Sequence, residues 1–530
     1  KKKRNEEDSM NIRQAKEEIK NTVLAYLDKD TGGGYTIPQI RQRPVLLMGP
    51  PGIGKTQIME QIASELQIGL VSYTITHHTR QSAVGLPMIC KEQFDGKSCE
   101  VTRYTMSEII AGVYERIRDF GQPEGILFLD EINCASETLT PAMLQFLQCK
   151  SFGNQKLPEG WILVAAGNPP EYNRSVHEFD VVTLDRVRYI EIEADLSVWK
   201  QYAADAHVHG AILSYLELRP DHFYRIEATV DGLSFVTARG WEDLSTLMKT
   251  YEKLKLPVTK EVVREFIREE DTAEDFYAYL ELYRKYQDDY RIEVILQGSV
   301  PSEIYARLMQ ADFDERLSVT NLLLDGLMNG FVRFYREKQF TDQWYQFLKD
   351  YKVKLDDTDP AGLSTEAEVI YEALVSDVEN DYRNRKRSGY LSKAESAVSM
   401  RLLNSLRAYA PVQKNVEAER ACADTAENRM QQVDELTYFE SAREGFSVQA
   451  AALKQEKEQM RKQLEAAFDF MENAFSEGQE MLVFVTGLAM HKESAVFLAA
   501  NPCARFEQHN EKLLAGTRRG ELLKKLDETV

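Results

Sequence analysis

The stretch "PVLLMGPPGIGKTQIMEQIASEL", residues 44–66, restricts the fold more than any other part of the chain. An apolar run, "PVLLMG", reads as a buried parallel strand. It enters a glycine-rich turn closed by Lys55 and Thr56, and then a helix with Ile58, Ile62 and Leu66 at helical spacing. A strand, a turn of this kind and a helix in that order fit a phosphate cradle. Backbone N–H groups face an anion at the helix start, glycines allow close approach, and a lysine reaches the terminal phosphates. The cradle residues are Gly49, Pro50, Pro51, Gly52, Ile53, Gly54, Lys55 and Thr56.

Further β-type runs recur through the first 195 residues: "IGLVSYTI" (68–75), "GILFLDEI" (125–132), "WILVAAGN" (161–168) and "RYIEIEA" (188–194), with helical patterns between them. Such alternation predicts a parallel sheet covered by helices on both faces. Beyond about residue 196, long stretches rich in Leu, Glu, Lys and Tyr predict a mainly helical remainder. Candidate linkers lie at 255–261, 355–364 and 383–392. The expected organisation is an α/β nucleotide-binding core (15–195), a helical lid (196–270), a helical extension (271–355) and a helical C-terminal domain (356–530). In that last part Leu453, Met460, Leu464, Phe468, Met471 and Phe475 share one face of a long helix. The face suits packing within a bundle, or docking of a partner.

Nucleotide hydrolysis also requires a carboxylate for Mg²⁺ and a group that polarises water. "ILFLDEIN" ends an apolar strand in Asp130 and Glu131, at the sheet edge where ligands of α/β folds bind. Asp130 is the candidate metal-side carboxylate beside Thr56, and Glu131 the candidate for activating water. "WILVAAGN" brings Asn168 to the same edge. Its amide suits a contact with the γ-phosphate or the water, although Asn before Pro-Pro is also a common turn former.

Charge and cysteines narrow the remaining classes. With 65 basic against 85 acidic residues and a net charge of −20, a general nucleic-acid surface is disfavoured. The six cysteines form no C-x-x-C pair and no zinc spacing, so reduced thiols in a cytoplasmic protein are expected. His77 and His78 lack an acidic or cysteine partner in the sequence around them. The apolar run "MLVFVTGLAM" (481–490) is about half of the roughly 20 residues that cross a bilayer. No leader segment is read ahead of the first domain.

The order of these parts resembles the AAA+ ATPases, and within them the MoxR-type branch. "GPPGIGKT" matches the Walker A motif, "ILFLDEIN" Walker B, and "GNPP" the sensor at a strand end. The resemblance implies ATP and Mg²⁺ as ligands. It also implies an arginine finger inserted into the neighbouring subunit's site: Arg186 in "TLDRVR", with Arg188 as runner-up. In the lid it implies a second-sensor arginine, Arg239, here preceded by Thr237-Ala238 where MoxR proteins more usually have Ser-Pro. "THHTRQSAVGLPMI" (76–89) resembles the stretch at which that branch carries a pore-facing insert. The 75 positions from Lys55 to Asp130 leave room for one. "SFGNQKLPEGW" (151–161) is expected to form a short hairpin before the sensor strand.

The implied activity is ATP hydrolysis by a homo-oligomer, a hexameric ring. Its task is chaperone-like remodelling or maturation of a partner complex, often with a protein bearing a von Willebrand factor A domain. A nucleotide-gated regulatory binding module is the alternative, and a nucleic-acid motor a more remote one.

Overall fold

The computed structural model describes residues 9–94, 97–172, 176, 179–229, 232–357, 363–387, 391–409 and 435–512. Two compact units divide the chain, Lys1–Ala278 and Tyr279–Val530.

A six-stranded parallel sheet organises the first unit: β1 (Met10–Asn11), β2 (Val45–Met48), β3 (Gly69–Thr74), β4 (Gly125–Asp130), β5 (Trp161–Gly167) and β6 (Arg188–Glu193), in the spatial order β1-β6-β2-β5-β4-β3. Successive side chains of a strand point to opposite faces, so even these wholly apolar runs divide their residues between two cores. Val45, Leu47, Ile126, Phe128, Ile162 and Val164 meet helices α1 (Ile12–Leu27) and α2 (Lys55–Leu66) through Ile19, Val23, Ile58 and Ile62. Leu46, Met48, Leu127, Leu129, Leu163 and Ala165 meet α3 (Glu108–Phe120) and α4 (Thr140–Cys149) on the other face. The α/β layering expected from the sequence is therefore present.

Two features add to it. Asn11 closes a capping box with Gln14, which starts α1, while its own strand pairs with β6. Between β3 and α3, a helical turn (Arg80–Val84) leads into an antiparallel hairpin, Pro87–Phe94 with Lys97–Tyr104. This is the insert for which the residue count left room. The short hairpin ahead of β5 is likewise present, Ser151–Phe152 with Gln155–Lys156.

Helices α5 (Leu196–Asp205), α6 (Gly210–Leu218) and α7 (Ala238–Leu254) follow the sheet. Their packing centres on aromatic side chains: Trp241 and Phe276, both fully buried, meet edge to face at 5.2 Å, and Tyr215 lies 5.2 Å from Phe276. An antiparallel hairpin, Arg225–Thr229 with Gly232–Val236, interrupts this region, which the sequence predicts as mainly helical without placing a strand there.

The second unit is helical. Its longest helices, Phe313–Asp356 and Glu435–Phe475, pack together, with Gly330 at a close approach where a Cβ would lie 2.7 Å from Met460 Sδ. Met460, Leu464, Phe468, Met471 and Phe475 are all buried, so this predicted helix face is core over that stretch, while Leu453 is half-buried. Phe340, Trp344, Tyr351, Tyr371 and Leu406 form a second cluster with helices Leu363–Arg387 and Lys393–Ala408. Residues 383–387, expected in a linker, end a helix instead; residues 358–362 and 388–390 of the other linker positions lie outside the described residues. Among the described residues no single helix is long and apolar enough to cross a membrane.

Candidate active site

Parallel register decides which residues meet at the C-terminal edge of the sheet. Met48 pairs with Gly167, and Thr74 with Asp130, so the chain leaves β2, β3, β4 and β5 at nearly the same level. The residues just past those strand ends, 49–56, 75–76, 131–133 and 168, share one edge although the sequence separates them widely.

Past β2 the chain turns through Gly52 (φ 74°) and Gly54 (φ 96°), left-handed conformations that suit glycine. Gly54 is the residue ahead of α2 and offers no capping side chain, so the first N–H groups of α2 are available to an anion. Lys55 is only 8% exposed. Its Nζ donates to the carbonyls of Gly49 and Pro50 and to Asn168 Oδ1, each at 2.8 Å. Burial pushes the ammonium pKa down to about 8; the Asp130 carboxylate opposes that shift and the Arg239 guanidinium adds to it.

Across the turn, Thr56 Oγ1 donates to Asp130 Oδ2 at 3.0 Å. Asp130 Oδ1 accepts from the Glu131 N–H at 2.9 Å. Glu131 adopts φ 55°, an unusual conformation for a residue with a side chain, and the chain bends sharply off the strand there. Its carboxylate accepts a hydrogen bond from Thr76 Oγ1 at 2.7 Å.

Residues of the helical region that follows the sheet close the other side. The N–H of Arg239, in the first turn of α7, donates to the Gly52 carbonyl at 3.2 Å, and Tyr224 Oη donates to the Pro51 carbonyl at 2.7 Å. A cavity of about 430 Å³ runs from the turn to α5 and α7, lined among others by Ile12, Gly54, Thr56, Tyr202, Arg239 and Glu242. Tyr202 Oη accepts from Gln57 Nε2 at 3.1 Å and donates to Glu242 Oε1 at 2.7 Å. Burial and then Glu242 raise the Tyr202 hydroxyl pKa, so it stays neutral.

Two arginines beyond β5, Arg186 and Arg188, differ in surroundings. Arg188 forms an ion pair with Glu18 of α1 within its own chain. Arg186 is exposed, and its guanidinium donates to the neutral amide of Gln148 at the end of α4.

The site thus gathers Lys55, Thr56, Asp130, Glu131 and Asn168, with Arg239 opposite, while Arg186 lies on the surface. Sequence reasoning missed Thr76, Asn133 and Tyr224. Thr76 had a detectable signal, a hydroxyl just past a β-type run, as Asn168 is an amide just past another. The hard oxygen donors of Thr56 and Asp130 fit Mg²⁺, and a buried ammonium beside an uncapped helix start fits phosphate.

Residues 44–187 match the family model of the AAA domain, dynein-related subfamily. The chain therefore carries an AAA domain, the nucleotide-binding core of AAA+ ATPases. Comparison with the curated proteins gives no match.

Proposed function

We propose that this protein is an oligomeric, ATP-hydrolysing AAA+ machine of the MoxR type that remodels or matures a partner protein complex. The observation that carries the reading is the position of Lys55, whose buried ammonium is held by carbonyl oxygens of the turn and by Asn168, beside the Thr56–Asp130 pair. Phosphate oxygens replace those neutral acceptors, and the charge on Lys55 is then matched by an anion. Asn168, released from Lys55, turns its amide to the γ-phosphate or the attacking water. Glu131 polarises that water, and the Thr76 hydroxyl sets the direction of its carboxylate. Thr56 and Asp130 would hold Mg²⁺, which would supply positive charge to offset that on the phosphates. Arg239 follows the nucleotide from the lid.

Arg186 is the finger offered to a neighbouring subunit. Its exposure supports that role, and the engagement of Arg188 with Glu18 weighs against the runner-up. A ring, hexameric in the MoxR pattern, follows from a finger that acts in trans. The Gly85-Leu86-Pro87 stretch and the hairpin after it support the MoxR assignment, and with it a partner bearing a von Willebrand factor A domain. Cys90, Cys99, Cys134, Cys149 and Cys503 stand outside any disulfide among the described residues, in keeping with a cytoplasmic location. Sedimentation with and without ATP tests the assembly: a ring that forms with ATP supports the reading, and a monomer with full ATPase activity removes it.

A further inference from the structure

Asn168 follows the last residue of β5, and the two residues after it, Pro169 and Pro170, have no N–H to give. The backbone of Asn168 is nevertheless held at two points. Asn133 Nδ2 donates to the Asn168 carbonyl at 2.8 Å, and Asn133 Oδ1 accepts from the Asn168 N–H at 3.3 Å. Only one orientation of the Asn133 amide satisfies both partners, which fixes its flip.

Asn133 is itself held firmly. It is 2% exposed and lies in the helical turn Ile132–Cys134, whose Ile132 is in the core. That turn is tied to Glu131 by the Cys134 N–H, which donates to the Glu131 carbonyl at 2.9 Å. The neighbour of Asn168 makes space for this amide: a Cβ on Gly167 would lie 2.6 Å from Asn133 Oδ1 and 2.9 Å from its Cγ. A glycine and an amide are therefore complementary here, one small because the other passes it.

We propose that Asn133 is a positioning residue that fixes the Asn168 amide against Lys55 and links it mechanically to Glu131. The inference rests on the ATPase reading above and adds to it a physical tie between the water-activating strand end and the phosphate-sensing one. Asn133 touches neither phosphate nor water; it acts through Asn168. When Glu131 moves, the clamp moves the backbone of Asn168 with it. The Lys55–Asn168 contact is then reset in the same event.

The test is a double-mutant cycle on turnover. Asn133→Ala, Asn168→Ala and the pair are compared for kcat and for ADP affinity. Asn133→Ala is expected to lower kcat by about 10²-fold, the cost typical of a misplaced catalytic group, with ADP affinity within about twofold of wild type. The pair is expected to be no slower than Asn168→Ala alone. Wild-type turnover in Asn133→Ala, or losses that multiply in the pair, would overturn the inference.

Wild-type turnover in Asn168→Ala would overturn it too, while the ATPase reading would still stand or fall on Lys55 and Glu131 variants. Steric complementarity gives a second readout: Gly167→Ala should lower the melting temperature, and adding Asn133→Ala should cost less than the two single losses summed, Met48 Sδ at 2.9 Å from the same Cβ retaining part of the strain, without recovering kcat. Where Asn133→Ala does not fold, the isosteric Asn133→Asp replaces it, since it keeps the acceptor for the Asn168 N–H but turns an oxygen on the carbonyl. The same kcat loss is expected.

Discussion

Lys55 Nζ and Asn168 Oδ1 lie 2.8 Å apart at the sheet edge although 113 positions separate them in the chain. The contact joins the phosphate-binding turn to the end of another strand. On the proposed reading, phosphate that draws Lys55 away also frees Asn168, so that binding and sensing become one exchange of partners.

Lys55 should take up a proton when ATP binds at alkaline pH. Its pKa of about 8 lies below the ordinary 10.5, so between those values the ammonium is partly neutral before binding. Nearby phosphate favours the charged form and raises the pKa, and protons enter the site. As pH falls through about 8 the lysine becomes charged before binding, and uptake shrinks, to be lost about a unit or more below that. Calorimetry at about pH 9 in buffers of different ionisation enthalpy should show this uptake, and Lys55→Arg should abolish it. Lys55→Ala should lose ATP binding; equal affinity in that variant contradicts the phosphate-cradle assignment.

Thr76→Val removes the hydroxyl that Glu131 accepts while keeping the side-chain shape. A hydrogen bond to a charged group contributes about 1.5–3 kcal/mol, so kcat should fall on the order of tenfold or more with ATP affinity unchanged. Steady-state kinetics beside equilibrium binding separate the two quantities. An unaltered kcat would mean that Glu131 is directed by other contacts.

Arg186→Ala should bind ATP and turn it over about 10³ to 10⁵ more slowly, the range found for arginine fingers. Mixed with Lys55→Ala it should regain activity, because some interfaces then pair an intact cradle with an intact finger. Labelled-subunit transfer must first establish exchange. Recovery places the finger in trans; exchange without recovery places it within its own subunit.

Phe468→Ala should destabilise the helical unit by about 3–5 kcal/mol, as expected for truncating a fully buried aromatic residue. Its ring meets Phe484 edge to face at 5.3 Å. Chemical denaturation followed by circular dichroism measures the loss, and a change below about 1 kcal/mol would contradict the packing described.

What the sequence makes legible follows from how locally each feature is encoded. The cradle around Lys55 is one contiguous strand, turn and helix, and Asp130, Glu131 and Asn168 each end a run of apolar residues. Their meeting follows from the general rule that such strand ends share an edge. Thr76, Asn133 and Tyr224 are different, because each matters through a partner 35 or more positions away: Glu131, Asn168 and Pro51. Nothing within a short window marks Asn133 or Tyr224, and Thr76 is marked only as a hydroxyl just past a β-type run. The resemblance ranks Arg186 ahead of Arg188 without firmly separating them, and it is Glu18, 170 positions from Arg188, that distinguishes their surroundings. The lid hairpin escaped because its strands, Arg225–Thr229 and Gly232–Val236, are only five residues each, too short for alternation to stand out from the helical text on either side.

Glu131→Gln tests the central claim most directly, since it changes one oxygen of the group assigned to the water and leaves the cradle intact. ATP affinity and phosphate release are measured on the same preparations of wild type and variant with Mg²⁺. The account predicts that both bind ATP within a fewfold of each other and that the variant releases phosphate at least about 10²-fold more slowly, the lower bound typical of losing a general base. Equal phosphate release by the two, with ATP bound, would contradict it.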